Sequence, residues 1–363
     1  MPPLIWKISI PVLIGLATLE MGCRFLPRFL KEPLRSTVLD IERTRLCNRR
    51  RYGPLSNAHA ILLPPAERAD VVFVGDSFVF GDRVRAEDTF VRLFARHRKV
   101  INLGVLNTNP VQYNRLIEVG LRYHPGLFVY AVFANDFDYV ETPLMRPLSS
   151  ENLFAHLPGD EALFKETLSV RDYVHSAFKS AADPFASVPL LRFFLGMGFA
   201  GTGTGYWKTV ERSVNGQFYQ FMEKGYWDSY LSWDNDRVKK SVAINTELVS
   251  EAFRLVQEQG AGFYVLLIPQ KEAVYAPLIS DPALIYDDSH SRSFREFSKE
   301  LTRRGIPNLD LTSGLQEAAR HRGRLYLPVD GHFSEEGHAV VAETLSRALA
   351  PALDTGGTHV WGG

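Results

Sequence analysis

A serine, a histidine and an aspartate in this chain have the types and settings that acyl transfer needs. Ser77 stands in Val74-Gly75-Asp76-Ser77-Phe78-Val79-Phe80-Gly81, where a β-branched apolar run gives way to a turn. A serine at a strand-to-helix turn has its hydroxyl lifted off the sheet, and the first amides of the following helix can stabilise an oxyanion. Far along the chain stands Val329-Asp330-Gly331-His332-Phe333-Ser334. His332 can take the Ser77 proton as general base, while Asp330 accepts from the other ring nitrogen and fixes the tautomer. Each segment alone also reads as an ordinary turn: Gly-Asp-Ser is common in turns, and Ser334 suits the start of a last helix.

Other residues compete for chemical roles. Asp287-Asp288-Ser289-His290 offers a second Asp–His pair, but it precedes a helix predicted from Ser291 and a further strand instead of closing the domain. Lys271, just past an apolar run and Pro269, could reach an anionic or carbonyl group of a substrate, or simply be a solvent lysine. Nine of the twenty-eight residues from Tyr206 to Trp233 are Tyr, Trp or Phe. Among them Tyr206, Trp207, Trp227 and Trp233 could stack on sugar rings or line an acyl pocket, although aromatic residues more often form core. His124, His156, His175 and His321 show no ligand spacing with acids or each other, so no metal is expected, and no motif asks for a nucleotide, flavin or other cofactor.

The elements that must position these residues follow from the apolar pattern. Short buried-strand runs occur at Val71 to Val74, Val100 to Leu103, Leu127 to Phe133, Phe263 to Ile268 and Asn308 to Leu311. Helical patterns lie between or after them, near Glu87 to Arg96, Pro110 to Tyr123, Ser241 to Gln259, Ser291 to Arg304 and Glu335 to Leu349. Strands alternating with helices predict an α/β fold: a three-layer αβα sandwich on a mainly parallel sheet of about five strands. Residues 140–240 interrupt the rhythm and are expected to form an aromatic-rich helical insertion that caps the sheet's carboxyl edge.

The chain has 363 residues, of which 45% are hydrophobic and 23% charged, so it can bury a core and lacks the composition of a disordered protein. Forty-one basic residues balance forty-one acidic ones, which argues against a nucleic-acid binder. With two cysteines, Cys23 and Cys47, neither a disulfide scaffold nor a Cys-rich zinc site can be built. Leu4 to Leu19 carries one charge, Lys7, and as a helix would measure about 24 Å against a hydrocarbon core of roughly 30 Å, a marginal span. The expected organisation is a membrane anchor over 1–30, a basic arm over 31–67, a catalytic domain over 68–350 with the insertion at 140–240, and a flexible tail over 351–363. Arg24, Arg28, Lys31 and Arg35 follow the span, a bias that by itself places the domain on the cytoplasmic face.

Four segments in fixed order, Gly75-Asp76-Ser77, Asn102-Leu103-Gly104, Asn135-Asp136 and Asp330-Gly331-His332, resemble the signature blocks of the SGNH hydrolases, or GDSL-type esterases. The resemblance implies the flavodoxin-like fold of that superfamily, with Ser77 as nucleophile and His332 and Asp330 completing a triad. It further implies an oxyanion hole made of the Ser77 amide, the Gly104 amide and the Asn135 side chain; Asn135 would serve equally as a helix cap. Two departures stand out: Phe133 occupies the place where the third block usually begins with glycine, and Asp330 and His332 are separated by one residue instead of two. The stretch Leu266 to Tyr275 is similar to one in membrane-anchored relatives and cell-envelope O-acetyltransferases of the superfamily. On that resemblance the protein is expected to be a serine ester hydrolase, membrane-anchored and facing the cell envelope, acting on an ester-bearing small molecule or glycan. An O-acyltransferase modifying an envelope glycan is the first alternative, and a non-catalytic binding protein on the same fold the second.

Overall fold

Alternation within each strand divides the core. In β1 (Val71–Gly75) the side chains of Val72 and Val74 join one apolar cluster and those of Val71 and Phe73 the other. In β3 (Leu127–Phe133), Phe128, Tyr130 and Val132 face the first cluster and Leu127, Val129 and Ala131 the second. Strands buried on both faces in this way belong to parallel sheets covered by helices on either side. The structure is a computed structural model that describes residue 18 and residues 68–105, 108–137 and 209–354.

The sheet has five parallel strands in the order β2-β1-β3-β6-β7, with β2 at Val100–Gly104, β6 at Gly262–Ile268 and β7 at Asn308–Asp310. One face is covered by the helices Pro110–Leu121, Asp236–Glu258 and Asp288–Arg303, the other by Phe90–Phe94, Thr312–His321 and Glu335–Asp354. The expected α/β class and five-stranded sheet are therefore those of the molecule. Strand order reverses between β1 and β3, and in open α/β sheets such a switch point opens a crevice at the strands' carboxyl ends. Ser77 follows β1 and Asn135 follows β3, so the topology sets both beside that crevice.

Numbered in chain order, the helices are α1 (Ser77–Phe80), α2 (Phe90–Phe94), α3 (Pro110–Leu121), α4 (Lys224–Tyr230), α5 (Asp236–Glu258), α6 (Lys271–Tyr275), α7 (Asp288–Arg303), α8 (Thr312–His321) and α9 (Glu335–Asp354). The helix expected over 87–96 is broken, because Thr89 adopts extended backbone and caps α2, its Oγ1 accepting from Arg92 N at 3.2 Å. Asp287, which accepts from Ser289 N at 3.0 Å, starts α7 ahead of the predicted Ser291. Helix α9 continues past the boundary read at 350 to Asp354.

The insertion read as helical is not so throughout. Its described part opens with an antiparallel hairpin, β4 (Thr209–Val214) and β5 (Gln217–Met222). Asn215 and Gly216 both have positive φ, +51° and +74°, the backbone that a two-residue hairpin turn requires, and Tyr219 and Phe221 alternate into the core. Asn-Gly between alternating apolar residues was the signal for it. Residues 1–30, read as a membrane anchor, lie outside the described residues apart from Thr18, as does the arm over 31–67; among the described residues no helix is long and apolar enough to cross a membrane.

Candidate active site

The turn after β1 is tied by its own aspartate. Asp76 is buried and caps α1, its Oδ1 accepting from Phe78 N at 2.9 Å. Its Oδ2 lies 3.4 Å from Ser77 Oγ, and the Asn135 side-chain amide donates to the same carboxylate. Burial raises the Asp76 pKa, and these hydrogen bonds together with the nearby imidazole only partly offset it.

His332, 255 residues further on, meets Ser77. Its Nδ1–H donates to Asp330 Oδ1 at 2.6 Å, which leaves Nε2 as the acceptor for the Ser77 hydroxyl at 2.8 Å. Asp330 Oδ1 also accepts from the His332 backbone N at 2.9 Å, so the one-residue spacing lets a single oxygen take both bonds. Burial acts to lower the His332 pKa, but the Asp330 charge and hydrogen bond outweigh it and the net shift is upward. For Asp330, burial acts upward, and His332 with Arg83 hold it well below the usual carboxylate range. The triad inferred from the sequence is thus assembled as a continuous hydrogen-bonded chain.

Phe78 lies behind the imidazole, its ring centroid 5.0 Å from that of His332 and 4.3 Å from that of Phe133. The residue that departs from the glycine of the third block is therefore part of an apolar floor beneath the triad. Asn135 sits in the turn Ala134–Phe137, half-buried, with Oδ1 lacking a partner. A primary amide carries two N–H donors, so one can serve Asp76 and the other an oxyanion. Next to it Asp136 is buried and accepts from Tyr113 Oη at 3.0 Å and Phe133 N at 2.9 Å. Burial, reinforced by the Asp76 charge, raises its pKa strongly.

Three expectations are corrected. The Gly104 amide donates to Asn102 Oδ1 at 2.8 Å, so it is committed within its own turn and does not face a substrate as an oxyanion donor. Asn102 in turn donates to Val79 O at 3.0 Å, clamping the end of β2 to α1. Lys271 is buried, 3% exposed, and its Nζ donates to the carbonyls of Leu327, Pro328 and Asp330 at 3.2, 3.2 and 3.0 Å. It gathers the loop that carries the triad instead of contacting substrate. Trp227 and Trp233 belong to or pack against the core around α4 and α5; the Trp227 indole lies against the buried Glu272 carboxylate, and the Arg292 guanidinium covers the Trp233 ring at 5.7 Å. Tyr206 and Trp207 lie outside the described residues.

The rival histidine is structural. His290 accepts from Asp287 N at 3.2 Å through Nδ1 and pairs with Asp228 through Nε2 at 2.9 Å, which locks the start of α7 to α4. Two neighbours of the triad were not singled out from sequence, Asp82 and Arg83. Asp82 Oδ2 lies 4.0 Å from His332 Nε2, and Arg83 Nε lies 3.0 Å from Asp330 Oδ2. Their only local signal was a charged pair directly after the Gly81 that ends the first block. Among the described residues no group of His, Cys, Asp or Glu is placed to hold a metal.

The role of Lys271 makes a prediction. Replacing it by Met takes the donor from the Leu327 and Asp330 carbonyls, while Pro328 O keeps Gln220 N at 2.7 Å; each carbonyl left unpaired costs about 1–3 kcal/mol. Lys271→Met should lower the unfolding free energy in a urea titration by about that much or more, and also lower turnover, because the loop bearing Asp330 and His332 loosens.

Residues 229–360 match a family model described as SGNH hydrolase-like domain, acetyltransferase AlgX. That segment contains Lys271, Asp330 and His332 and begins after Ser77, Gly104 and Asn135. The chain is 28% identical over 114 residues to the probable alginate O-acetylase AlgJ of Pseudomonas syringae pv. tomato, an alignment covering 31% of this chain and 28% of that protein. The chain therefore spans less than a third of the length of that curated relative. Among solved structures it is similar to a protein of Desulfitobacterium hafniense DCB-2 assigned to the G-D-S-L lipolytic family, at 13% identity and a TM-score of 0.39, covering 77% of this chain and 98% of that one. It is also similar to a catalytic mutant of the acetylxylan esterase Axe2 of Geobacillus stearothermophilus, at 13% identity and a TM-score of 0.38, covering 82% and 97%.

Proposed function

We propose that this protein is a serine O-acyltransferase that moves a short acyl group, acetyl in the first instance, onto a glycan hydroxyl through an acyl-enzyme on Ser77. The observation that carries the acyl-transfer chemistry is the chain Ser77 Oγ, His332 Nε2, His332 Nδ1, Asp330 Oδ1, closed at 2.8 and 2.6 Å. In the first half-reaction Ser77 Oγ attacks the donor's ester carbon while its proton passes to His332 Nε2. In this reading the Ser77 amide and the second N–H of Asn135 donate to the oxyanion. Collapse expels the donor alcohol, which takes the proton from His332, and leaves the acyl group on Ser77. In the second half the acceptor hydroxyl gives its proton to His332 and attacks the acyl carbon, and the Ser77 oxygen leaves as the regenerated hydroxyl.

Transfer is favoured over simple hydrolysis by the similarity of residues 229–360 to the acetyltransferase family model and of the chain to an alginate O-acetylase. Hydrolysis, with water as acceptor, uses the same residues and is the second reading. Anchoring through residues 1–30 and placement at the cell envelope belong to this proposal as expectations from the sequence. Product analysis decides between the readings. With an aryl acetate donor and a polysaccharide acceptor, acetylated glycan should form at the expense of free acetate. Free acetate as the sole product would leave the hydrolase, and failure of a fluorophosphonate probe to label Ser77 without any ester turnover would leave a binding protein.

A further inference from the structure

We propose that Arg83 is a positioning residue for the acyl transfer assigned to Ser77, a reading on which this inference rests: its guanidinium fixes the outer oxygen of Asp330 so that the inner oxygen stays on His332. The first observation is conformational. Arg83 has φ of +67°, in the left-handed region that a long L side chain rarely occupies, two residues after Gly81 at +82°. Backbone held in that region persists where the surroundings over-determine it, and such residues concentrate at functional sites. What the conformation achieves is visible in the contacts. The loop turns back over the triad, bringing Arg83 Nε to 3.0 Å from Asp330 Oδ2, an ion pair whose N–H is not aligned as a hydrogen bond.

The second observation is the division of labour on Asp330. Both bonds from His332, from its backbone N and its Nδ1, converge on Oδ1. A carboxylate held by the imidazole and its backbone through one oxygen is less constrained at the other. Arg83 supplies the counterpart at Oδ2 from a different part of the chain. Its charge also balances the field at the imidazole. His332 is faced by Asp330 at Nδ1, by Asp82 at 4.0 Å from Nε2 and by the Asp76 carboxylate near Ser77, all of which favour the imidazolium, whereas Arg83 opposes it. Arg83 thus keeps the base from being over-stabilised in its protonated form.

The test uses the full chain, p-nitrophenyl acetate as a small neutral substrate, and the variants Arg83→Gly, Arg83→Gln and Arg83→Lys beside Ser77→Ala. Arg83→Gly should melt at or above the wild-type temperature, because glycine adopts positive φ without strain, yet lose about 10-fold in kcat with KM within about twofold. Arg83→Gln should lose a similar factor and move the acid limb of the kcat/KM profile to higher pH, since His332 then lacks the opposing charge. Arg83→Lys should recover part of the loss. Parallel falls in melting temperature and kcat for Arg83→Gly would make the residue merely structural, and a raised KM at unchanged kcat would make it a substrate contact; either overturns the inference. Full kcat in all three variants with a dead Ser77→Ala protein overturns it alone, whereas wild-type turnover in Ser77→Ala overturns the reading of the site as well.

Discussion

Ser77→Ala is expected to lower acyl-transfer kcat by about 10⁴-fold or more, His332→Ala by a similar factor, and the double variant by scarcely more than either. The non-additivity follows from geometry: the 2.8 Å bond between Ser77 Oγ and His332 Nε2 makes them one proton-transfer unit, and a base without its nucleophile does nothing. Donors around the oxyanion survive both changes, so a residual rate should remain. His332 must be neutral to accept the Ser77 proton. Because Asp330 raises its pKa above the ordinary 6.5 in spite of burial, the wild-type rate should fall as pH drops through a value above that one. Steady-state kinetics from pH 5 to 9 on a short-chain aryl ester checks both statements. A comparable loss for His290→Ala would contradict them, since His290 is committed to Asp287 and Asp228.

Gly104→Ala should destabilise the domain by more than about 3 kcal/mol, toward the top of the range for overpacking, and so fail to accumulate as folded protein. A Cβ there would stand 2.2 Å from Phe80 N and 2.5 Å from Val79 C, which are backbone atoms of α1 that no rotamer change can move aside. The strand end and the nucleophile-bearing helix touch main chain to main chain at this point. Denaturant unfolding, or the soluble yield where the protein cannot be purified, measures the effect. The amide is committed to Asn102 Oδ1, and the missing side chain is what lets α1 approach, so packing is the part of this glycine that alanine removes.

Four of the sheet strands were legible as short apolar runs buried on both faces, a local property of the sequence, and the half-buried β7, Asn308–Asp310, by its place between two helical patterns. Ser77 and His332 were legible too, since their chemistry shows in residue type and setting. The hairpin at 209–222 was signalled by Asn215-Gly216 but hidden by the density of aromatic residues around it, which reads equally as core, helix or sugar platform. Trp227 turned out to be core and Trp233 to pack against it.

Sequence alone determined the layered α/β class and pointed to Ser77 and His332 as a pair that could do acyl-transfer chemistry, because periodicity and residue type are carried by neighbours along the chain. Tertiary structure alone decided which donors are already engaged: the Gly104 amide by Asn102, the Lys271 ammonium by three carbonyls of the triad loop, and the Arg83 charge by Asp330. A hydrogen-bond donor is available to a substrate only if no closer acceptor holds it. That choice is made by packing between segments as far apart as residues 83 and 330, which no local pattern encodes.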